Sequence, residues 1–180
     1  MRVKACLVLA LAAFSLAAAE IPRKSPDFAI QLENGKQIKV SDYHGKVLCV
    51  VFILTTCPHC QKTTQLLSGI YRDLGPKGLE VVEAAVNEGA DVPAFIQQFQ
   101  PPFPVGTAGA LAALDYMQWP KEKRPLVPFV VFIDKQGMIR SQYTGVDEAF
   151  FDDHQEQHLR DEISKLMMER VAHGKTTAVK

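Results

Sequence analysis

The chain shows no excess of charge of either sign: 20 Lys and Arg stand against 20 Asp and Glu, a formal net charge of zero. Nothing in that balance points to nucleic acid or to a strongly charged membrane surface. Cysteine is scarce, with four in 180 residues. Cys6 falls in the N-terminal leader described below, so Cys49, Cys57 and Cys60 remain. Three thiols make a poor structural framework, whereas one close pair and one odd thiol suit chemistry plus packing. Low-complexity tracts, internal repeats and dividing linkers are also missing. What is present, 47% hydrophobic and 22% charged residues, is enough for one globular domain with a core that needs no staples.

The N-terminus reads as a targeting segment. Arg2 and Lys4 precede an apolar run from Ala5 to Leu16, and Ala17, Ala18 and Ala19 offer small residues for cleavage before Glu20. A membrane span needs about 20 apolar residues, more than this run supplies. Cys6 sits too early for a lipoprotein acylation site. Residues 1–19 are therefore assigned as a signal peptide, residues 20–173 as the folded domain and 174–180 as a disordered tail. The mature protein is expected outside the cytoplasm, periplasmic or otherwise exported, where disulfides persist. Anchoring by an uncleaved signal is the alternative.

Periodicity gives the element order. Pro26 to Val40 reads as a hairpin turning at Asn34-Gly35, a pair that tolerates positive φ. Val47 to Leu54 is an unbroken apolar run, as in a strand buried on both faces. A helix follows, with Cys57 at its N-cap, Pro58 at its first position, one face marked by Leu66, Leu67, Ile70 and Leu74, and an end at Gly75-Pro76. Leu79 to Val86 is the next strand, and Val92 to Phe99 and Ala108 to Tyr116 are helical. Phe129 to Ile133 and Met138 to Tyr143 form a second hairpin around Gln136-Gly137, and a long helix runs from about Asp147 with Leu159, Ile163, Leu166, Met167 and Val171 on one face. Such alternation predicts an α/β fold: a mixed central sheet flanked by helices on both faces, with an N-terminal β-hairpin.

The stretch Thr56-Cys57-Pro58-His59-Cys60, between a buried strand and a helix start, carries the chemistry. Cys57 in the first turn faces unpaired backbone N–H groups and the positive end of the helix dipole, which favour a reactive thiolate. Cys60 lies further in. Cys57 is thus the candidate nucleophile and Cys60 the candidate resolving thiol, with His59 placed to stabilise the Cys57 thiolate and make the disulfide easier to reduce. Half of a zinc site is the plain alternative. It wants four ligands, but no second cysteine pair exists, and nothing places His154 and His158 near Cys57. Cys49, in mid-strand, reads as a small buried hydrophobe.

Leu126-Val127-Pro128-Phe129 sets a proline directly before a buried strand, where it marks a strand start or a special turn. With the Cys-x-x-Cys stretch, this resembles the thioredoxin superfamily, in which a cis-proline loop faces the two cysteines. The resemblance implies that Val127 binds the partner's backbone and that Pro128 keeps metal from the thiols; Thr56, which holds the place of the Trp commonly found there, joins the substrate-binding set. The lead-in from Ser25 to Gly45, the segment from Gly78 to Glu88 and Val131 to Gly137 are similar to TlpA/ResA-type exported redoxins. The Cys-Pro-His-Cys motif itself is similar to DsbA-type oxidases. Such pairs span about −270 mV in thioredoxin to about −120 mV in DsbA, roughly 7 kcal/mol for two electrons, so the residues between the cysteines matter greatly.

Two acids of the related proteins are missing. Val51 stands where thioredoxins carry a buried Asp, and Thr63 where ResA-like reductants carry a Glu. No base for Cys60 is evident. A thiol peroxidase is the nearest rival, but the Pro and Thr that peroxiredoxins place before their reactive Cys are replaced by Val50 and Leu54 for Cys57, and by Ile53 and Cys57 for Cys60. Copper or haem delivery in cytochrome assembly is the rival from another class; the copper-type cysteine spacing is absent, and no His occurs between His59 and His154. The expectation is a monomeric thiol-disulfide oxidoreductase using neither metal nor organic cofactor. It would act on exported protein thiols and disulfides, with a membrane redox partner as a candidate donor. The charged run Lys121 to Arg124 reads as a solvated loop.

Overall fold

The computed structural model describes residues 20–120 and 122–169. The assigned signal peptide, the C-terminal tail, Lys121 and Val171 lie outside the described residues. Eight strands form one mixed sheet among the described residues: β1 (Arg23–Lys24), β2 (Ala29–Gln31), β3 (Gln37–Lys39), β4 (Val47–Ile53), β5 (Leu79–Ala85), β6 (Val105–Thr107), β7 (Phe129–Ile133) and β8 (Met138–Tyr143). Their spatial order is β1-β8-β7-β4-β5-β6-β2-β3. Strands β4, β5 and β6 run parallel, and the remaining pairings are antiparallel. Four helices pack on the sheet: α1 (Pro58–Leu74), α2 (Val92–Phe99), α3 (Ala110–Tyr116) and α4 (Gln155–Met168). This is the mixed α/β architecture that the alternation predicts.

β4 lies at the centre because all seven of its residues are apolar and buried, which only a strand covered on both faces allows. Its alternate residues divide the core. Val47, Cys49, Val51 and Ile53 join Leu67 and Ile70 of α1, Phe95 of α2 and Leu159, Ile163 and Leu166 of α4. Leu48, Val50 and Phe52 join Phe28, Ile30 and Tyr116 on the other face, beside α3. Cys49 is fully buried within the first of these layers, so its sequence reading as a core residue holds.

Several boundaries differ from the sequence reading. β1 and β6 are two and three residues long, too short for periodicity to show. β6 crosses close to β2, and a Cβ at Gly106 would collide with the Gln31 carbonyl. α1 does end at Gly75-Pro76, with Gly75 as its C-cap, but in a right-handed conformation; a 3-10 turn follows, and Gly78 takes the positive φ of 106°. Helix α4 begins at Gln155, not near Asp147. The intervening segment is a turn that the Asp147 carboxylate organises by accepting from Thr144 N–H at 2.7 Å. In it Phe150 stacks on Tyr143 with ring centroids 3.7 Å apart. His154 accordingly caps α4 and does not lie within it.

Candidate functional site

The site grows from the end of β4. After Ile53 the chain must leave the sheet and start a helix within four residues, and side chains from elsewhere hold that turn. The Thr55 N–H donates to Asn87 Oδ1 at 3.1 Å, and Gln61 Nε2 donates to the Thr55 carbonyl at 2.9 Å. The Cys57 N–H donates to the Leu54 carbonyl at 3.0 Å, and the Cys57 carbonyl accepts from Gln61 N–H at 3.0 Å. Cys57 is the N-cap of α1, with φ −82° and ψ 120°, and Pro58 takes the next position, where no N–H is needed. Thr56, Pro58 and His59 are exposed on this corner, and Cys57 is half-buried.

Cys60 is one residue further into the first turn than His59 and fully buried. Both thiols are free, and Cys57 packs against the core cluster that holds Cys60. Burial pushes the Cys60 thiol well above the ordinary range; the backbone of Leu54 opposes this, while Cys57 and the charge of Glu83 add to it.

The positions without an acid are filled by neutral groups. Val51 is apolar and buried in β4. Thr63 is buried, donates to the His59 carbonyl at 2.9 Å and accepts from Gln155 Nε2 of α4 at 2.8 Å. Such hydroxyl back-bonding satisfies a buried polar side chain within its own helix. An acid is nevertheless present, one strand away. Glu83 of β5 lies directly beside Val51 in the parallel register and is fully buried. Its Oε2 accepts from the Thr64 hydroxyl at 3.0 Å, and that hydroxyl also stands 3.1 Å from the Cys60 carbonyl. Glu83 Oε1 has no hydrogen-bond partner among the described residues. Burial raises the carboxyl to about 8, offset only in part by Thr64. The sequence reading missed Glu83. Its signal was alternation: Leu79, Val81, Glu83 and Ala85 share one face, and on the other Val82 and Ala84 are buried, with the partly exposed Glu80 near the strand's start.

The proline loop borders the same corner. The Val127–Pro128 peptide bond is cis. Val127, Pro128, Leu126, His59, Gly145, Glu148 and Phe151 line a groove of about 360 Å³. Thus His59, Val127 and Pro128 come together, whereas Thr56 is not among the groove-lining residues. Gly145 N–H donates to the Leu126 carbonyl at 2.7 Å, and a Cβ on Gly145 would sit 2.7 Å from the Val127 carbonyl oxygen. Only glycine lets the two loops approach so closely.

Among the described residues, neither His154 nor His158 joins a metal-binding cluster with the thiols. His154 is exposed, and His158 Nδ1 pairs with the Phe150 carbonyl at 3.1 Å. Among the described residues no group of three or more His, Cys, Asp or Glu is placed to hold a metal ion. Glu122, Lys123 and Arg124 are exposed on the loop before Pro128.

A dithiol at the start of the helix after a central strand, in a chain similar to ResA proteins, is that of a thioredoxin-like redoxin of the TlpA/ResA type. Sequence comparison then gives the family: residues 21–163 match AhpC/TSA, and the chain belongs to it. It is 27% identical over 128 residues to the thiol-disulfide oxidoreductase ResA of Bacillus thuringiensis subsp. konkukian, spanning 70% of both chains. Against ResA of Bacillus subtilis it is 32% identical over 82 residues, 45% of this chain and 46% of the relative. Among solved structures it resembles a thiol:disulfide interchange protein of the thioredoxin family from Chlorobium tepidum, with TM-score 0.68 and 19% identity, covering 83% of this chain and 99% of the other. A secreted Mycobacterium tuberculosis disulfide oxidoreductase, homologous to DsbE of Escherichia coli, has TM-score 0.61 and 15% identity, covering 77% and 96%.

Proposed function

We propose that this chain is a thiol-disulfide oxidoreductase that exchanges disulfides with exported proteins through Cys57 and Cys60. The carrying observation is the asymmetry of the pair: Cys57 is half-exposed at the helix N-cap while Cys60 is fully buried behind it. Only an accessible sulfur can meet a protein disulfide, and only a sheltered neighbour waits to resolve the mixed product. Cys57 is the nucleophile, Cys60 the resolving thiol, and Pro58 and His59 between them tune the potential. The groove beside His59 seats the substrate segment, with Val127 and Pro128 against its backbone, while the exposed Thr56 meets the substrate next to Cys57. The names of the ResA relatives support the same activity. They favour neither the peroxidase nor the metal- or haem-delivery alternative. The protein works outside the cytoplasm, released by cleavage after Ala19, with a membrane-bound redox partner recharging it.

The test is reduction of a protein disulfide by the purified chain, with Cys57→Ser and Cys60→Ser in parallel. Cys57→Ser abolishes exchange, and Cys60→Ser accumulates a mixed disulfide on Cys57 that mass spectrometry detects. Exchange retained by Cys57→Ser refutes the assignment. The equilibrium potential against glutathione then sets the direction: above about −150 mV the protein donates disulfides, below about −230 mV it reduces them.

A further inference from the structure

Resolution of a mixed disulfide requires the Cys60 proton to leave, yet Cys60 is sealed from solvent and its thiol form is favoured by burial. Neither position at which the resemblance leads one to seek a base carries an acid: Val51 is apolar, and Thr63 spends its hydroxyl on the His59 carbonyl and Gln155. Among the described residues, Glu83 is the acid that is fully buried beside Val51. The side chains sharing the layer with it from β4, β6, α2 and α4 are apolar or thiol: Cys49 and Val51, Val105, Phe95, and Leu159 with Ile163. Cys60 and Cys49 are therefore the titratable groups that face it.

We propose that Glu83 accepts the Cys60 thiol proton when the mixed disulfide is resolved, so that the acid serving the dithiol stands on β5 and not on β4 or α1. The proposal rests on the exchange reaction proposed above. The Thr64 hydroxyl couples the two residues. It has one proton and two acceptors within reach, the Glu83 Oε2 and the Cys60 carbonyl. When Glu83 is ionised, Thr64 donates to it. When Glu83 is protonated, the acid donates to Thr64 and Thr64 turns its own proton to the carbonyl. Both protonation states of Oε2 thus keep a hydrogen bond, and a buried group that must change charge in each cycle needs that.

The step balances as follows in atoms and electrons. Cys57 Sγ is bonded to a substrate sulfur. Cys60 gives its proton to Glu83, and the thiolate attacks Cys57 Sγ. The bond from Cys57 to the substrate breaks, its electron pair leaves on the substrate sulfur, and that sulfur takes a proton from solvent. The protein ends as the Cys57–Cys60 disulfide, and the substrate disulfide has gained two electrons. When the protein disulfide is opened again, Glu83 returns the proton.

The test uses the full chain with Cys6→Ser, so that no thiol of the leader contributes, reacted after reduction with stoichiometric 5,5′-dithiobis(2-nitrobenzoate) by stopped flow from pH 5 to 10. The first thionitrobenzoate reports attack by Cys57, and the second reports attack by Cys60. In the parent the second rate rises to a plateau above about pH 8. Glu83→Gln, nearly isosteric, slows the second release at pH 8 by about a hundredfold, the low end of what a positioned base contributes. It also replaces the plateau by a continuous rise with hydroxide, and leaves the first release within twofold. Thr64→Val, which removes the donor to Oε2, moves the inflection to higher pH. A second release in Glu83→Gln within twofold of the parent, or an inflection unmoved by either variant, overturns the proposal. Loss of the first release in the parent would instead overturn the exchange reading, and this inference with it.

Discussion

Replacing Glu83 by Gln should make the reduced protein more stable, and increasingly so as pH rises. Burial pushes the Glu83 carboxyl up to about 8 in the fold, from an ordinary 4.5. Below pH 4.5 the acid is protonated whether folded or unfolded, and it costs nothing relative to the neutral amide. As pH rises the unfolded chain releases the proton first and the folded chain holds it, so stability is lost progressively until the folded carboxyl has itself ionised. At 1.36 kcal/mol per pH unit, the 3.5-unit separation limits the loss to about 5 kcal/mol. Integrated, it amounts to about 1 kcal/mol at pH 5, about 3 at pH 7 and nearly 5 above pH 9. Glutamine keeps the shape and an oxygen for Thr64 but carries no titration. Urea unfolding of the reduced parent and Glu83→Gln, followed by far-ultraviolet circular dichroism at pH 5, 7 and 9, isolates the difference, because every other titrating group is common to both. The stability gap should widen with pH in favour of the variant, by about 3 kcal/mol or more between pH 5 and 9. A gap constant within about 0.5 kcal/mol would mean that Glu83 ionises as readily in the fold as outside it, and the account of a buried, neutral-leaning acid would fall.

Two further outcomes are expected. Iodoacetamide at pH 7 should modify Cys57 alone among Cys49, Cys57 and Cys60 in the reduced Cys6→Ser chain, because both other thiols are buried and held protonated by that burial; comparable labelling of Cys60, read by peptide mass spectrometry, would contradict this. Gly145→Ala should cost about 1–3 kcal/mol, the usual penalty for overpacking, because its Cβ meets the Val127 and Leu126 carbonyl oxygens at 2.7 and 2.9 Å. It should also slow exchange by shifting the proline loop, and unchanged urea midpoint and rate would show that the loops separate freely.

How much of this the sequence disclosed follows from where each signal is stored. β4 and α1 are legible because their information is local: an apolar run, then Cys57 and Pro58 at a helix start. β1 and β6 owe their strand state to partners, β8 and β5, that lie far along the chain. The start of α4 was set too early because Asp147 to His154 has helix-compatible residues, while the Asp147 cap and the Phe150–Tyr143 stack that turn it aside belong to the tertiary structure. Within the site, Cys57, Cys60 and His59 announce themselves by spacing. Glu83 does not, since a lone acid in a strand ordinarily faces solvent, and its partner Thr64 is 19 residues away. Reading β5 as covered on both faces would have exposed it.

The sheet ends on one side in β1, two residues long, and on the other in β3, three residues long, and Lys24 and Lys39 stand on those outer strands. Long, flat, uncharged borders invite a strand from another molecule, and from there fibrils grow. Here each border offers too few free backbone groups for a lasting ladder, and an ammonium group discourages the approach. The protein thereby presents other chains with a corner to react at and no long margin along which to aggregate.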